Sequence, residues 1–219
     1  MKNTLEYIIL WLLFQSLFGI NCQITPYKPQ QRIGHTATFI NNKLYILGGR
    51  LSSNITVGAG TIDFFYLDVS VPFNTQTLSW QDLSSVNIVP MHHGAASVNG
   101  GANNNTLFLF GGSNETMELV YTFDPQSNSW KIPNIPTTSG INVIRKAFLT
   151  GIIGENGKMY LWGGSSGTIG INIQLQNDML ILNTISLSWE MGTLIGAPSS
   201  RIFYGATLIP NQKIIYIGE

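Results

Sequence analysis

Lys43-Leu-Tyr-Ile-Leu-Gly-Gly-Arg50 reads as a short apolar strand closed by two glycines. The phrase returns as Thr106-Leu-Phe-Leu-Phe-Gly-Gly-Ser113 and as Lys158-Met-Tyr-Leu-Trp-Gly-Gly-Ser165. A fourth copy, Lys213-Ile-Ile-Tyr-Ile-Gly-Glu219, carries the first glycine only. An internal repeat outranks other local signals, because each copy is one supersecondary unit and the copies stack. The first glycines, at 48, 111, 163 and 218, stand 63, 52 and 55 residues apart. Loop insertions account for the unevenness.

Working outward from each copy, four short strands appear per unit. In the first unit they read over residues 34–40, 44–47, 63–69 and 78–83, with Asn41-Asn42 as a tight hairpin turn, since Asn tolerates the positive φ such turns need. The second unit places strands at 94–98, 107–110 and 118–123, and the Asp124-Pro turn leads into a fourth at Trp130. The third opens at Arg145, with strands over 147–153, 159–162, 178–183 and 187–190, and an Asn156-Gly157 hairpin signal. The last holds 201–208 and 213–218. Two long insertions, 51–62 and 165–177, follow glycine pairs.

These features predict an all-β chain of four-stranded sheets, and a period near 50 with four strands matches a propeller blade. The strand before each glycine pair alternates little, so it should be buried on both faces, between neighbouring blades. Gly48, Gly49, Gly111, Gly112, Gly163 and Gly164 let the backbone turn where a Cβ would clash. Trp80, Trp130 and Trp189 recur at one repeat position, where a large ring can pack between blades.

The units resemble kelch repeats. The likeness rests on the glycine pairs, the aromatic that follows in Tyr66 or Phe123, the Asp124-Pro turn, the tryptophan six residues past Asp124, and the opening Arg32-Ile-Gly-His-Thr. It covers Arg32 to Glu219. The third unit departs in having Asn183-Thr for Asp-Pro, and the second in opening on Met91-His-His. The resemblance implies an incomplete kelch-type β-propeller of about three and a half blades: 32–90, 91–144, 145–200 and a truncated 201–219. Propellers of the family usually close with six or seven blades, and closure removes exposed flanks and edges. The chain is therefore expected to be a fragment of a larger propeller.

Residues 1–22 read as a secretory signal peptide: Lys2, an apolar run over 8–20, and cleavage after Cys22. Residues 23–31 form an extended lead-in with Pro26 and Pro29. The only cysteine is Cys22, so the mature chain would have neither disulfide nor thiolate. Asn54, Asn104 and Asn114 head N-x-Thr sequons in predicted loops and are candidate glycosylation sites. The 219 residues carry no net charge and only 10% charged side chains, which argues against nucleic acid as partner. Membrane attachment requires an uncleaved leader or an anchor beyond Glu219.

No constellation of catalytic residues is evident. Arg32, Arg145 and Arg201 open three units and are expected to pair within the blades; the alternative is a ring of cations for an acidic ligand. His35 is expected to be a packed, hydrogen-bonded core residue. His92 and His93, adjacent on a strand, would face opposite ways and fail to share a metal. Asp63, Asp68, Asp124 and Asp178 flank third strands and read as turn formers. Galactose oxidase, also similar, implies a copper site of two histidines, two tyrosines and a cysteine. The mature chain lacks that cysteine, and Tyr45, Tyr66, Tyr121 and Tyr160 fall on repeat positions.

The sequence therefore reads as a non-catalytic, secreted scaffold without cofactor or metal, binding a protein or a glycan. In the family, glycine-pair loops and inter-blade connections share one face. That face is expected to bind the partner, with Asn54 and Asn114 on it and Asn104 on the other. The alternatives are a sugar-active oxidase or epimerase completed by further blades, and the ectodomain of a membrane-anchored protein.

Overall fold

A computed structural model describes residues 27–52, 60–137, 140–166 and 172–218. The expected leader and Asn54 lie outside these residues. Three four-stranded antiparallel sheets follow one another along the chain, then a two-stranded one. The first is Thr36–Ile40, Lys43–Leu47, Phe64–Asp68 and Trp80–Asp82, paired in that order. The second is Ala96–Gly100, Thr106–Phe110, Val120–Asp124 and Ser129–Lys131. The third is Gly151–Ile153, Lys158–Trp162, Met179–Asn183 and Ser188–Met191. The fourth is Gly205–Ile209 with Lys213–Ile217. First strands of successive sheets lie side by side. The sheets are thus blades of an incomplete β-propeller, as the repeat implied.

Local chemistry sets the turns. Asn41 and Asn42 hold φ of 49° and 62°, the pair of left-handed residues that a two-residue hairpin requires. In the third blade Gly154 N donates to Lys158 O at 2.9 Å, and Gly157 takes the left-handed position at φ 72°. The first strand of that blade is shorter than the expected 147–153. Phe148 lies at φ 61°, which breaks an extended run, and the strand starts at Gly151.

Apolar strands pack flank to flank. Leu107, Leu109 and Phe110 are fully buried, as are Met159 and Leu161, because each middle strand is covered on both faces. The fourth blade differs: Ile215 and Ile217 stay 42% and 66% exposed, and no sheet covers their side among the described residues. Trp130 stands 5.1 Å from Phe64 of the preceding blade, and Trp189 stands 5.8 Å from Phe110 of its predecessor. Such ring pairs add about 0.5–1.5 kcal/mol beyond area burial. Trp80 has no earlier blade among the described residues to pack on. It meets Phe65 of its own blade at 5.2 Å, and the lead-in residue Tyr27 bridges to it and packs tilted against Phe65 at 5.0 Å.

Candidate functional site

The antiparallel order fixes the two ends of every blade. First strands start, second strands end and fourth strands end on one face. That face carries the glycine-pair loops and the inter-blade connections. It is held together by a repeating backbone pattern. The second glycine of each pair donates to the opening residue of the next blade: Gly49 to His92 O, Gly112 to Lys146 O and Gly164 to Arg201 O, at 2.9–3.0 Å. Two residues further on, Gly94 N donates to Gly34 O, Phe148 N to Gly94 O and Phe203 N to Phe148 O, at 2.7–3.0 Å. This second chain of bonds links the four blades around the axis.

The close approach explains the glycines. A Cβ on Gly48 would stand 2.7 Å from His92 Nε2, and one on Gly111 would overlap the Lys146 carbonyl oxygen. Both residues also sit at left-handed φ, 64° and 70°.

The same pattern identifies the true opening residues: Arg32, His92, Lys146 and Arg201. The third unit opens on Lys146, one residue later than the expected Arg145. Arg32 donates to Gly48 O at 3.0 Å and pairs with Asp63 at 2.6 Å. Lys146, its side chain fully buried, pairs with Asp178 at 2.6 Å. Asp63 and Asp178 are thus ion-pair partners rather than turn formers. Asp68 and Asp124 do cap turns, accepting from Ser70 N and Gln126 N at 2.9 Å. Arg201 reaches Gly218 O at 2.8 Å, and Arg145 is held by the Gly111 and Met117 carbonyls. All four cations are engaged within the blades.

Blade two changes both members of the pair. His92 stands where Arg32 and Lys146 stand. Leu119, whose carbonyl accepts from Gly111 N as Asp63 O does from Gly48 N, replaces the aspartate. His92 is 2% exposed. Its Nδ1 donates to Pro90 O at 2.8 Å, and its Nε2 has no partner. Desolvation, together with the His93 and Arg145 charges, lowers its pKa below the ordinary 6.5. His93 is also buried, its Nδ1 on Ser113 Oγ at 2.7 Å, and desolvation and then Arg50 lower its pKa. The two rings diverge, one under Gly48 and one towards Ser113.

Inside the ring of backbone bonds lies a cavity of about 470 Å³, lined among others by Ile33, His35, Arg50, His93, Phe148 and Phe203. His35 is exposed here rather than packed in the core. The rings of Phe148 and Phe203 lie 4.7 Å apart, and His93 lies 5.6 Å from Phe148. The loops and inter-blade connections of this face carry exposed apolar side chains, Ile62, Ile88, Met91, Ile132, Leu194 and Ile195, the last 91% exposed. The opposite, hairpin face carries Val71, Phe73 and Ile185.

Asn114 lies on the loop face, its Nδ2 donating to Met91 O at 2.9 Å and its Oδ1 accepting from Thr116 N and Oγ1. Asn104 is exposed in a hairpin of the other face, at φ 51°. Tyr45 and Tyr121 are buried, and the Tyr121 hydroxyl accepts from Glu118 N. Arg50, Lys146, Phe148 and Phe203 were not singled out from sequence. A signal existed: Arg32-Ile-Gly34, Lys146-Ala-Phe148 and Arg201-Ile-Phe203 share the spacing basic–x–(Gly or Phe).

Comparison with known proteins agrees with this geometry. A family model described as the KLHDC2/KLHL20/DRC7 Kelch-repeats domain matches residues 34–219. Kelch domain-containing protein 3 of Rattus norvegicus is 27% identical over 203 residues, 86% of this chain and 49% of that protein. The Homo sapiens protein of the same name is 26% identical over 203 residues. A Rho GTPase-activating protein, gacHH, of Dictyostelium discoideum is 25% identical over 119 residues, 51% of this chain and 7% of that protein. The chain spans about half the length of the Kelch domain-containing protein 3 relatives.

Proposed function

The chain belongs to the kelch-repeat family, and from that premise we propose that it is a protein-binding scaffold whose partner sits on the loop face. The observation that carries this reading is the set of exposed apolar residues on the loops of that face, Ile195 at 91% exposure among them. Large apolar patches on a soluble surface mark interaction sites, and loops on a rigid frame are where binding concentrates. The backbone ring supplies that frame, since it ties each blade's loops to the next. Photo-crosslinkers at Ile195 and at Phe73 test the reading in cell extract. Protein adducts from Ile195 and none from Phe73 are expected. Adducts from Phe73 alone would overturn it.

The secretory route is proposed with it, on the leader-like residues 1–22 and the sequons. Endoglycosidase treatment of the chain expressed in animal cells should remove mass from Asn104, the exposed acceptor. An unchanged mass in wild type and in Asn104→Gln, with the chain retained inside the cell, would refute it. A glycan ligand is the narrower alternative for the same face, favoured by the exposed Phe203 ring, and a glycan array would detect it.

A further inference from the structure

We propose that Asn156 is a site of spontaneous modification, where attack by the Gly157 backbone nitrogen turns the asparagine into isoaspartate and loosens the tie between blades two and three. The inference is independent of the loop-face reading, since this hairpin lies on the opposite face.

The chain holds two Asn-Gly pairs, Asn99-Gly100 and Asn156-Gly157. In such a pair no side chain on the second residue shields its nitrogen from the asparagine's carboxamide. The fold separates the two. Asn99 lies inside strand Ala96–Gly100, opposite Leu107, and Gly100 is packed so closely that a Cβ would stand 2.8 Å from Thr184 Oγ1. Asn156 stands exposed at the tip of the hairpin joining Gly151–Ile153 to Lys158–Trp162. Its Oδ1 accepts from Lys158 N at 3.1 Å, which draws electrons from Cγ and makes that carbon more electrophilic. Its Nδ2, the leaving nitrogen, donates to the Tyr160 hydroxyl at a slack 3.4 Å. The attacking nitrogen, Gly157 N, donates to Gly154 O at 3.0 Å across the turn. Freeing it takes the local opening of one surface turn, whereas freeing Gly100 N takes a strand out of its sheet.

The chemistry needs water and no change of oxidation state. Gly157 N bonds to Asn156 Cγ and gives up its proton. The Cγ–Nδ2 bond breaks, and ammonia leaves. The product is a five-membered succinimide. Water then opens one of its two carbonyl–nitrogen bonds. Opening at Cγ gives aspartate. Opening at the backbone carbonyl gives isoaspartate, with the main chain rerouted through Cβ and Cγ and a free α-carboxylate.

Isoaspartate adds one carbon to the backbone just before a shared anchor. Gly157 O accepts from Thr184 N at 3.0 Å and from Thr184 Oγ1 at 2.6 Å. The same hydroxyl accepts from Gly101 N of the blade-two hairpin at 2.9 Å. Thr184 is 3% exposed and so ties the hairpins of blades two and three in a closed setting. It stands where blade two has Pro125, which has no hydroxyl to offer. Lengthening the chain at Asn156 displaces Gly157 O from this tie. The new carboxylate also lies beside Glu155, a like charge.

The test ages the full chain at neutral pH and physiological temperature. Isoaspartate is read by methyl transfer from a protein isoaspartyl methyltransferase, and its position by mass spectrometry of peptides. Folded chain should accumulate it at Asn156 about tenfold or more faster than at Asn99. In urea both pairs should react at similar rates. Asn156→Gln should abolish the folded-state signal, because its longer side chain cannot close the five-membered ring. In the isoaspartyl chain the Gly101 amide should exchange about tenfold or more faster. Asn156→Asp, which adds the charge without the extra carbon, should change that exchange less than about twofold.

The site is refuted if folded Asn156 reacts no faster than Asn99, if Asn99 stays inert in urea, or if the signal survives Asn156→Gln. Isoaspartate at Asn156 with unchanged Gly101 exchange would refute the loosened tie. Faster exchange in Asn156→Asp as well would assign the effect to charge and refute the lengthened backbone as its cause.

Discussion

Gly111 shows how one missing Cβ holds two blades together. Its φ of 70° and the Lys146 carbonyl above it both exclude a side chain. Gly111→Ala should destabilise the fold by about 3 kcal/mol or more, because the next blade's backbone must move. Gly140→Ala is the control: φ is 89°, nothing lies within 4 Å, and only the strain of about 1–2 kcal/mol applies. Urea unfolding midpoints compare the two.

The buried histidines give a second prediction at this scale. His92 and His93 have folded pKa values below the ordinary 6.5. Above that value both folded and unfolded chains are neutral at these rings, so their contribution is full and constant. As pH falls through 6.5 the unfolded chain takes up protons that the folded one refuses, and stability drops towards the depressed folded values. His92→Leu should flatten that slope in thermal melts between pH 7.5 and 5.5. An unchanged slope would contradict the burial argument.

At the scale of the element, the unit is the brace between an opening cation and the aspartate before the third strand. Lys146 is fully buried against Asp178, and desolvation lowers the lysine pKa more than the carboxylate raises it. Asp178→Leu alone strands a buried ammonium and should cost about 3–5 kcal/mol. The double change Lys146→Met with Asp178→Leu should recover most of that loss, because a packed apolar pair is often no worse than a buried ion pair. Blade two has no such ion pair, since His92 and Leu119 occupy the two positions. A double-mutant cycle on unfolding free energies reads the coupling. The strands and hairpins of each blade were legible, since apolar runs, glycine pairs and Asn41-Asn42 are local signals. The brace was not. Arg145 looked like the opening cation from adjacency alone, and only the bond from Gly112 N to Lys146 O sets the register.

Across the whole molecule, protection should follow the stacking of blades. Strand Thr106–Phe110 is covered on both faces, whereas Lys213–Ile217 is covered on one. Amide exchange in Lys213–Ile217 should be the faster by orders of magnitude, since it needs only local opening. Equal protection would mean that the uncovered flank is occupied in solution.

The sequence by itself determined the four-unit repeat, the all-β class and the propeller, because a period written into strands and glycine pairs is a local code repeated in register. Only the tertiary structure decided that Asp63 and Asp178 are ion-pair partners, that His35 is exposed while His92 is sealed, and that Phe148, Phe203 and Arg50 share a cavity. Those outcomes depend on contacts between residues tens of positions apart, within one blade for the ion pairs and where blades meet for His92 and the cavity. The two ion-pair partners stand 31 and 32 positions apart, beyond the reach of any single strand or hairpin signal.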